Sequence, residues 1–261
     1  MDNISVMYHN VLGYNVTQSD VESRAATLLT LYQNQAPDIL GFQEFTNDFR
    51  SFIDGTDFEA WLYDNYIEIC YGDGGSALED QGGIATPIFY RKDAGLTLGS
   101  SGYVRARTAA TKGTTWATFT TGEGNTFCVS NSHFVSPTEQ GANTDYVKMR
   151  EYREADVSAW LTKLSSLNLD CPVISGGDFN SGKTYAEPNA ENYSTPYEML
   201  ANAGCTAAGT VEGSLSEGIV SGFDHIMLKG ELLEYSYSFV SGDVSVVGSD
   251  HAPQNVTVIF K

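Results

Sequence analysis

The sequence predicts an α/β sandwich formed as one domain over residues 1–261, and three observations carry that reading. A β-rich segment, an amphipathic helical segment and a second β-rich segment follow one another at the start. Short strand-like runs separated by Gly-rich turns fill the middle and the end. The few helical segments interrupt these runs in no regular alternation, which argues against the parallel array that a repeating βα pattern would build.

Residues 4–11 are rich in β-branched and aromatic side chains and read as a strand. Ser19 with Glu22 three positions on forms a capping-box start. Val21, Ala25, Leu28, Leu29 and Tyr32 then share one face of a helix that ends before Pro37. The next strand, 39–42, delivers Gln43 and Glu44 at its C-terminal end. Further strands are predicted at 84–91, 96–104, 114–120 and 126–132, punctuated by turns such as Gly122-Glu123-Gly124-Asn125. A long helix covers 145–167, with Val157, Trp160, Leu161, Leu164 and Leu167 on its apolar face. A short buried strand over 172–176 leads into Gly177-Asp178-Phe179-Asn180. A helix at 196–203 and strands at 223–228, 235–240 and 256–260 complete the chain. Residues 182–195 carry no clear element and read as a surface excursion or a substrate-side loop.

Apolar residues at 41% and charged residues at only 18% support a sizeable core rather than disorder. No run approaches the length of a membrane span, and no basic or apolar leader precedes the first strand. The reading is a cytoplasmic protein or one whose leader was removed. Abundant Thr, Ser, Asn, Gly and Tyr with few Lys favour a secreted bacterial protein, and a monomer is expected. The 14 basic and 33 acidic residues give a formal charge of −19, which repels polyanions and disfavours long nucleic acid as a partner. Arg91, Lys92, Arg105, Arg107 and Lys112 are the local exception, either a solvated loop or an anion-binding edge. Cys70, Cys128, Cys171 and Cys205 form no CxxC pair and read as buried thiols, while their even number leaves disulfides open.

Hydrolysis of a phosphate ester needs charge stabilisation on the phosphoryl oxygens, an oriented water and a stabilised leaving oxygen. A hard cation serving that chemistry takes oxygen ligands. Carboxylates and amides stand at strand ends: Asn10, Glu44, Asp178, Asn180 and Asp250, the last followed by His251. Each alone is most often a turn or a cap. Yet the chain has four histidines, and His133, His225 and His251 lie inside the same apolar-then-polar segments.

Six segments, in order, are His9-Asn10-Val11-Leu12-Gly13, Gly41-Phe42-Gln43-Glu44, Asn131-Ser132-His133-Phe134, Gly176-Gly177-Asp178-Phe179-Asn180-Ser181, Phe223-Asp224-His225-Ile226 and Gly248-Ser249-Asp250-His251. Together they resemble the endonuclease/exonuclease/phosphatase superfamily with its deoxyribonuclease I-like fold. The resemblance implies a four-layer α/β/β/α sandwich with two central mixed β-sheets and one active site at the sheet edges. It implies a metal-dependent phosphoesterase, with Mg²⁺ (Mn²⁺ or Ca²⁺ as alternatives) held chiefly by Glu44, helped by Asn10 and Asp250. Asp178 would activate water and Asn180 would hold the phosphoryl group. His251, backed by Asp224, would contact phosphate, and His133 would stabilise the phosphate or the leaving group. Some nucleases of the superfamily carry an acidic residue where this chain has Leu12, so a single-ion site is preferred. His225 follows Asp224 within a strand and is expected to face the other way. A small-molecule, sugar or lipid-derived phosphate is the favoured substrate; a nuclease and a non-catalytic secreted cation-binding domain are the alternatives.

Overall fold

The structure, a computed structural model, describes residues 2–15, 21–71, 85–106, 112–136, 145–180, 195–210, 222–232, 234–242 and 244–260. In chain order these form β1 (Asn3–Asn10), a 3-10 turn (Gly13–Asn15), α1 (Val21–Gln35), β2 (Ile39–Gln43), α2 (Asn47–Ile53) and α3 (Asp57–Asn65). Then come β3 (Tyr66–Ile69), β4 (Ile88–Arg91), β5 (Thr97–Arg105), β6 (Gly113–Thr120), β7 (Thr126–His133) and α4 (Tyr146–Ser166). The chain continues through β8 (Val173–Asp178), α5 (Pro196–Asn202), β9 (Thr206–Thr210), β10 (Asp224–Lys229), β11 (Glu234–Phe239), α6 (Val244–Val247) and β12 (Gln254–Ile259).

The strands form two six-stranded mixed sheets, ordered β11-β12-β1-β2-β4-β3 and β5-β6-β7-β8-β10-β9. Each sheet is built around one parallel pair. A helical crossover through α1 makes β1 and β2 parallel, and one through α4 does the same for β7 and β8. Because β1 is covered on both faces, its apolar residues alternate between two cores. Ile4, Val6 and Tyr8 meet Ile174, Ile226 and Val256 between the sheets. Met7 and Val11 join Leu28, Tyr32 and Phe49 beneath the helices of the first sheet. A third cluster, with Cys128, Val157, Trp160 and Met227, lies under α4 and α5. The layers are therefore α/β/β/α.

Polar connections also cross between the sheets. The Tyr8 hydroxyl donates to the Ile174 carbonyl at 3.1 Å. A Cβ on Gly176 would stand 2.4 Å from the Tyr8 ring, so only glycine admits that ring. Gln43 Nε2 donates to Asn131 Oδ1 at 2.5 Å, while Asn131 Nδ2 donates to the Phe42 and Pro87 carbonyls at 2.7 and 2.8 Å.

Several sequence expectations shift. The strand predicted at 84–91 begins only at Ile88, since Pro87 has no N–H for the ladder, and residue 84 lies outside the described residues. In α1, Leu31 is buried where Leu29 was expected, because the helix packs against α3 and α6 as well as the sheet. The strand predicted at 172–176 runs on through Asp178, paired on both sides to its last residue. The predicted capping Ser19, Arg107, Ser181 and residues 182–194 of the predicted loop fall outside the described residues. The four cysteines are free thiols, three of them buried. Among the described residues no helix is long and apolar enough to cross a membrane.

Candidate active site

Strand register builds half of the site. His133 of β7, Asp178 of β8 and Asp224 of β10 occupy one rung across three neighbouring strands, which puts their side chains on a common face. The other half comes from the first sheet: Asn10 ends β1 opposite Gln43, and Glu44 follows β2 directly. His251 arrives just before β12, whose pairing with β1 returns the chain to Asn10.

These side chains connect in a continuous network. Asn10 Nδ2 donates to Glu44 Oε1 at 3.2 Å and to Asp178 Oδ2 at 3.0 Å. That oxygen of Asp178 lies 3.5 Å from His133 Nε2 and 3.9 Å from His251 Nε2. His251 Nδ1 donates to Asp224 Oδ2 at 2.8 Å, and its Nε2 lies 3.9 Å from Asp250 Oδ1. The Asn180 backbone N–H donates to Asp178 Oδ1 at 2.8 Å, and the Asn180 amide is anchored on the Phe134 carbonyl at 2.9 Å. All eight residues singled out in the sequence therefore meet in one place.

Local backbone shape makes this convergence work. Leu12, Glu44 and Asn180 adopt left-handed conformations with φ of 53°, 59° and 49°. Asn tolerates that region well, whereas for Leu and Glu it costs roughly 1–3 kcal/mol each, a strain that concentrates at functional sites. A Cβ on Gly13 would sit 1.6 Å from the Glu44 carbonyl oxygen, so glycine lets the loop after β1 close on Glu44. The Tyr14 backbone N–H then donates to Glu44 Oε2 at 3.1 Å.

Electrostatics divides the network into a cationic and an anionic part. Burial by itself would lower His251, but Asp224 foremost, then Asp178 and Asp250, lift it to about 10, so the ring is an imidazolium at neutral pH. Burial pushes Asp178 up to about 6 against the nearby His251 charge. Burial also raises Glu44, against the hydrogen bonds from Tyr14 and Asn10. His133 is held well below the ordinary histidine range by burial, then by Lys112 and His251.

The cation question turns on the donor set. Atoms of Asp178, Asp224 and His251 lie within 4.8 Å of one another, and with His251 Nδ1 on Asp224 at 2.8 Å and its Nε2 3.9 Å from Asp178 they form an ion-pair network. Two oxygen donors lie at the edges of the network: the half-buried Glu44 carboxylate on the Asn10 side, and on the His251 side Asp250 Oδ1, a buried oxygen with no hydrogen-bond partner among the described residues. These residues fit a hard divalent cation. Asn10, expected as a ligand, turns its N–H groups toward both carboxylates and its carbonyl toward the Leu12 N–H at 3.0 Å. In this arrangement the Asn10 amide bridges the two acids.

His225 faces away from the network, as its place in the strand requires. Its Nε2 bonds the Gly222 carbonyl at 3.1 Å and its ring packs on Phe179 and Tyr197 under α5. The basic cluster divides. Arg91 pairs with Asp38 and Asp93, and Lys92 bonds the Tyr63 carbonyl, both toward the end of the first sheet where β2 begins. Lys112 is buried next to Gly113, which pairs with His133, and it brings positive charge to that side of the site. Three contributors carried no signal in the sequence: the Tyr14 N–H on Glu44, the Ser249 hydroxyl that donates to the Asn10 carbonyl at 2.6 Å, and the Arg24 guanidinium behind the loop. They act through main-chain groups, which residue type does not reveal.

A family model described as the Endonuclease/Exonuclease/phosphatase family matches residues 7–251. The fold is similar to an endonuclease/exonuclease/phosphatase from Bacteroides vulgatus, with a TM-score of 0.73 and 20% identity over 100% of both chains. It is also similar to a Bacteroides thetaiotaomicron mannosyl-6-phosphatase, with a TM-score of 0.67 and 18% identity over 98% of this chain and 100% of that one. The human Nocturnin catalytic domain with a bound sulfate anion gives a TM-score of 0.68 and 18% identity, covering 99% of this chain and 94% of that one. Among curated proteins none matches.

Proposed function

The chain belongs to the endonuclease/exonuclease/phosphatase family, whose members hydrolyse phosphate esters, and from that membership we propose a divalent-cation-dependent phosphoesterase acting on a small phosphate ester. The observation that carries the reading is the placement of the His251 ring, held by Asp224 at 2.8 Å and facing Asp178 across 3.9 Å. A buried cation next to a carboxylate with a pKa near neutrality suits an anionic substrate attacked by water.

The chain's own groups divide the work. Asp178, raised to about 6, takes the proton of the attacking water while the Asn180 N–H and the Asn10 amide hold its two oxygens in place. His251 binds the phosphoryl oxygens as a cation, and Asp224 fixes its tautomer. Lys112 adds positive charge on the His133 side. Glu44 and Asp250 would hold Mg²⁺ or Mn²⁺, which when bound neutralises charge developing on the phosphoryl and leaving oxygens. The chain acts as a single domain and a monomer in this reading.

The net charge of −19 favours a small-molecule, sugar or lipid-derived phosphate over a polynucleotide. Similarity in fold to a mannosyl-6-phosphatase, and to a domain that binds the phosphate-like sulfate anion, is in keeping with that choice. The test is a panel of sugar phosphates, bis-p-nitrophenyl phosphate, water-soluble phosphoinositides and single-stranded DNA, each assayed with Mg²⁺ and with EDTA. Hydrolysis of a small ester that EDTA abolishes is expected. Preferred cleavage of DNA would make the chain a nuclease, and cation binding without turnover of any ester would leave a binding domain. Glu44→Gln is expected to weaken Mn²⁺ binding with the fold intact.

A further inference from the structure

Arg24 lies on α1, outside the catalytic network, and reaches the two loops that carry it. Its Nε donates to the Gly248 carbonyl at 2.7 Å, and one terminal nitrogen donates to the carbonyls of Val11 and, at 3.2 Å, Leu12. The guanidinium carbon sits 5.5 Å from the Phe49 ring centroid and 5.3 Å from that of Phe52, within cation–π range. Val11 and Leu12 directly follow Asn10; Gly248 stands two residues before Asp250 and three before His251.

We propose that Arg24 is a positioning residue for this site, locking the segment that carries Asn10 to the segment that carries Asp250 and His251. The assignment rests on the phosphoesterase reading above. Its physical basis is the strained turn at Leu12. With φ of 53°, that residue is left-handed, and only in that shape does its N–H bond Asn10 Oδ1 and turn the Asn10 amide toward Glu44 and Asp178. The Arg24 bond to the Leu12 carbonyl holds the turn from behind. On the other loop, the bond to Gly248 fixes the approach of Ser249, whose hydroxyl donates to the Asn10 carbonyl at 2.6 Å and accepts from the His251 N–H at 3.2 Å. One planar fork thus sets the distance between the Asn10–Glu44 side and the His251 side. A lysine, a single point of charge, could not reach all three carbonyls in that geometry.

The test compares Arg24→Gln and Arg24→Lys with the wild type by circular dichroism, by kcat and KM on the best ester of the panel, and by Mn²⁺ titration calorimetry. Displacing positioned groups by about 1 Å costs ~10²-fold. Arg24→Gln is therefore expected to lose kcat by about that factor with little change in KM. Its Mn²⁺ affinity should weaken by roughly 10–100-fold, and Arg24→Lys should fall between the two. A folded Arg24→Gln that melts lower yet keeps kcat and Mn²⁺ affinity within about twofold would make Arg24 a stabilising strut and overturn the assignment. Failure of both variants to fold would do the same. If the wild type hydrolyses no ester, the proposed function fails, while the Mn²⁺ titration still decides on Arg24: an unchanged affinity overturns it.

Discussion

Two histidines approach the same oxygen of Asp178 and end in opposite charge states. His251 lies 3.9 Å away and is lifted to about 10; His133 lies closer, at 3.5 Å, and is held well below its ordinary range. The shared carboxylate therefore does not decide the outcome. Behind His251 stands Asp224, 2.8 Å from Nδ1, whereas the Nδ1 of His133 finds no hydrogen-bond partner among the described residues and Lys112 lies near that ring. With both rings buried, the second contact of each imidazole sets its charge. The two rings, one cationic and one neutral, thus flank the carboxylate that the proposed mechanism uses as its base.

Removing that base breaks the comparison most severely, because both rings lose their common partner. Asp178→Asn keeps the shape and deletes the proton acceptor, for which a loss of ~10²–10⁴-fold in kcat is expected. Thermal unfolding should be unchanged or slightly raised, since a carboxyl already pushed up to about 6 is unfavourable as a buried anion at neutral pH. Near wild-type turnover by the purified variant would remove Asp178 from the mechanism.

The next largest effect tests the cationic side. His251→Ala should be nearly as damaging as loss of the base, and Asp224→Asn milder, roughly 10–100-fold, if Asp224 acts through the ring it orients. The pH profile separates these roles. In the proposed mechanism Asp178 works ionised, so wild-type activity should rise as pH passes its value of about 6, or lower once a cation is bound beside it. In the same mechanism His251 works protonated, so activity should fall as pH rises through about 10. Asp224→Asn deletes the acid foremost in lifting His251, and the alkaline limb should move toward neutrality; the acid limb should shift to lower pH, because Asp224 also raises Asp178. An alkaline limb that does not move would refute the pairing.

Half of this arrangement was legible before any coordinates. Strand ends announce themselves through β-branched and aromatic runs that stop at Asn, Glu or Asp, which points to Asn10, Glu44, Asp178, Asn180 and Asp250 with His251; His133 follows from where the few histidines fall, and Asp224 from the family resemblance. The sequence reading passed over α2, α3, β3 and β9, although α2 and α3 carry signals. Thr46 and Thr56 cap them, and Phe45, Phe49 and Phe52 are spaced as a helical face. What could not be read is the sharing of polar atoms across long separations. Asn10 looked like a ligand because its type allows it, and only the turn at Leu12 determines that its N–H groups face the acids. The basic cluster looked continuous because its members are near in sequence, yet β4 and β6 lie in different sheets and carry Arg91 and Lys112 apart.

The smallest expected effect sharpens the comparison from the neutral side. Because His133 is uncharged near pH 7, it can offer substrate one ordinary hydrogen bond and no net charge. Such a bond is worth about 0.5–1.5 kcal/mol, which corresponds to a roughly two- to tenfold rate loss. His133→Gln retains a donor and an acceptor of similar reach, so kcat should fall within that range and neither limb of the pH profile should move. Single-turnover rates measured from pH 5 to 10.5 on the best ester would check both points. A loss as large as that of His251→Ala would mean that His133 becomes charged during the reaction and donates a proton to the leaving oxygen. The two rings would then differ in when they carry charge, with Lys112 restraining the second until the substrate's own negative charge offsets it.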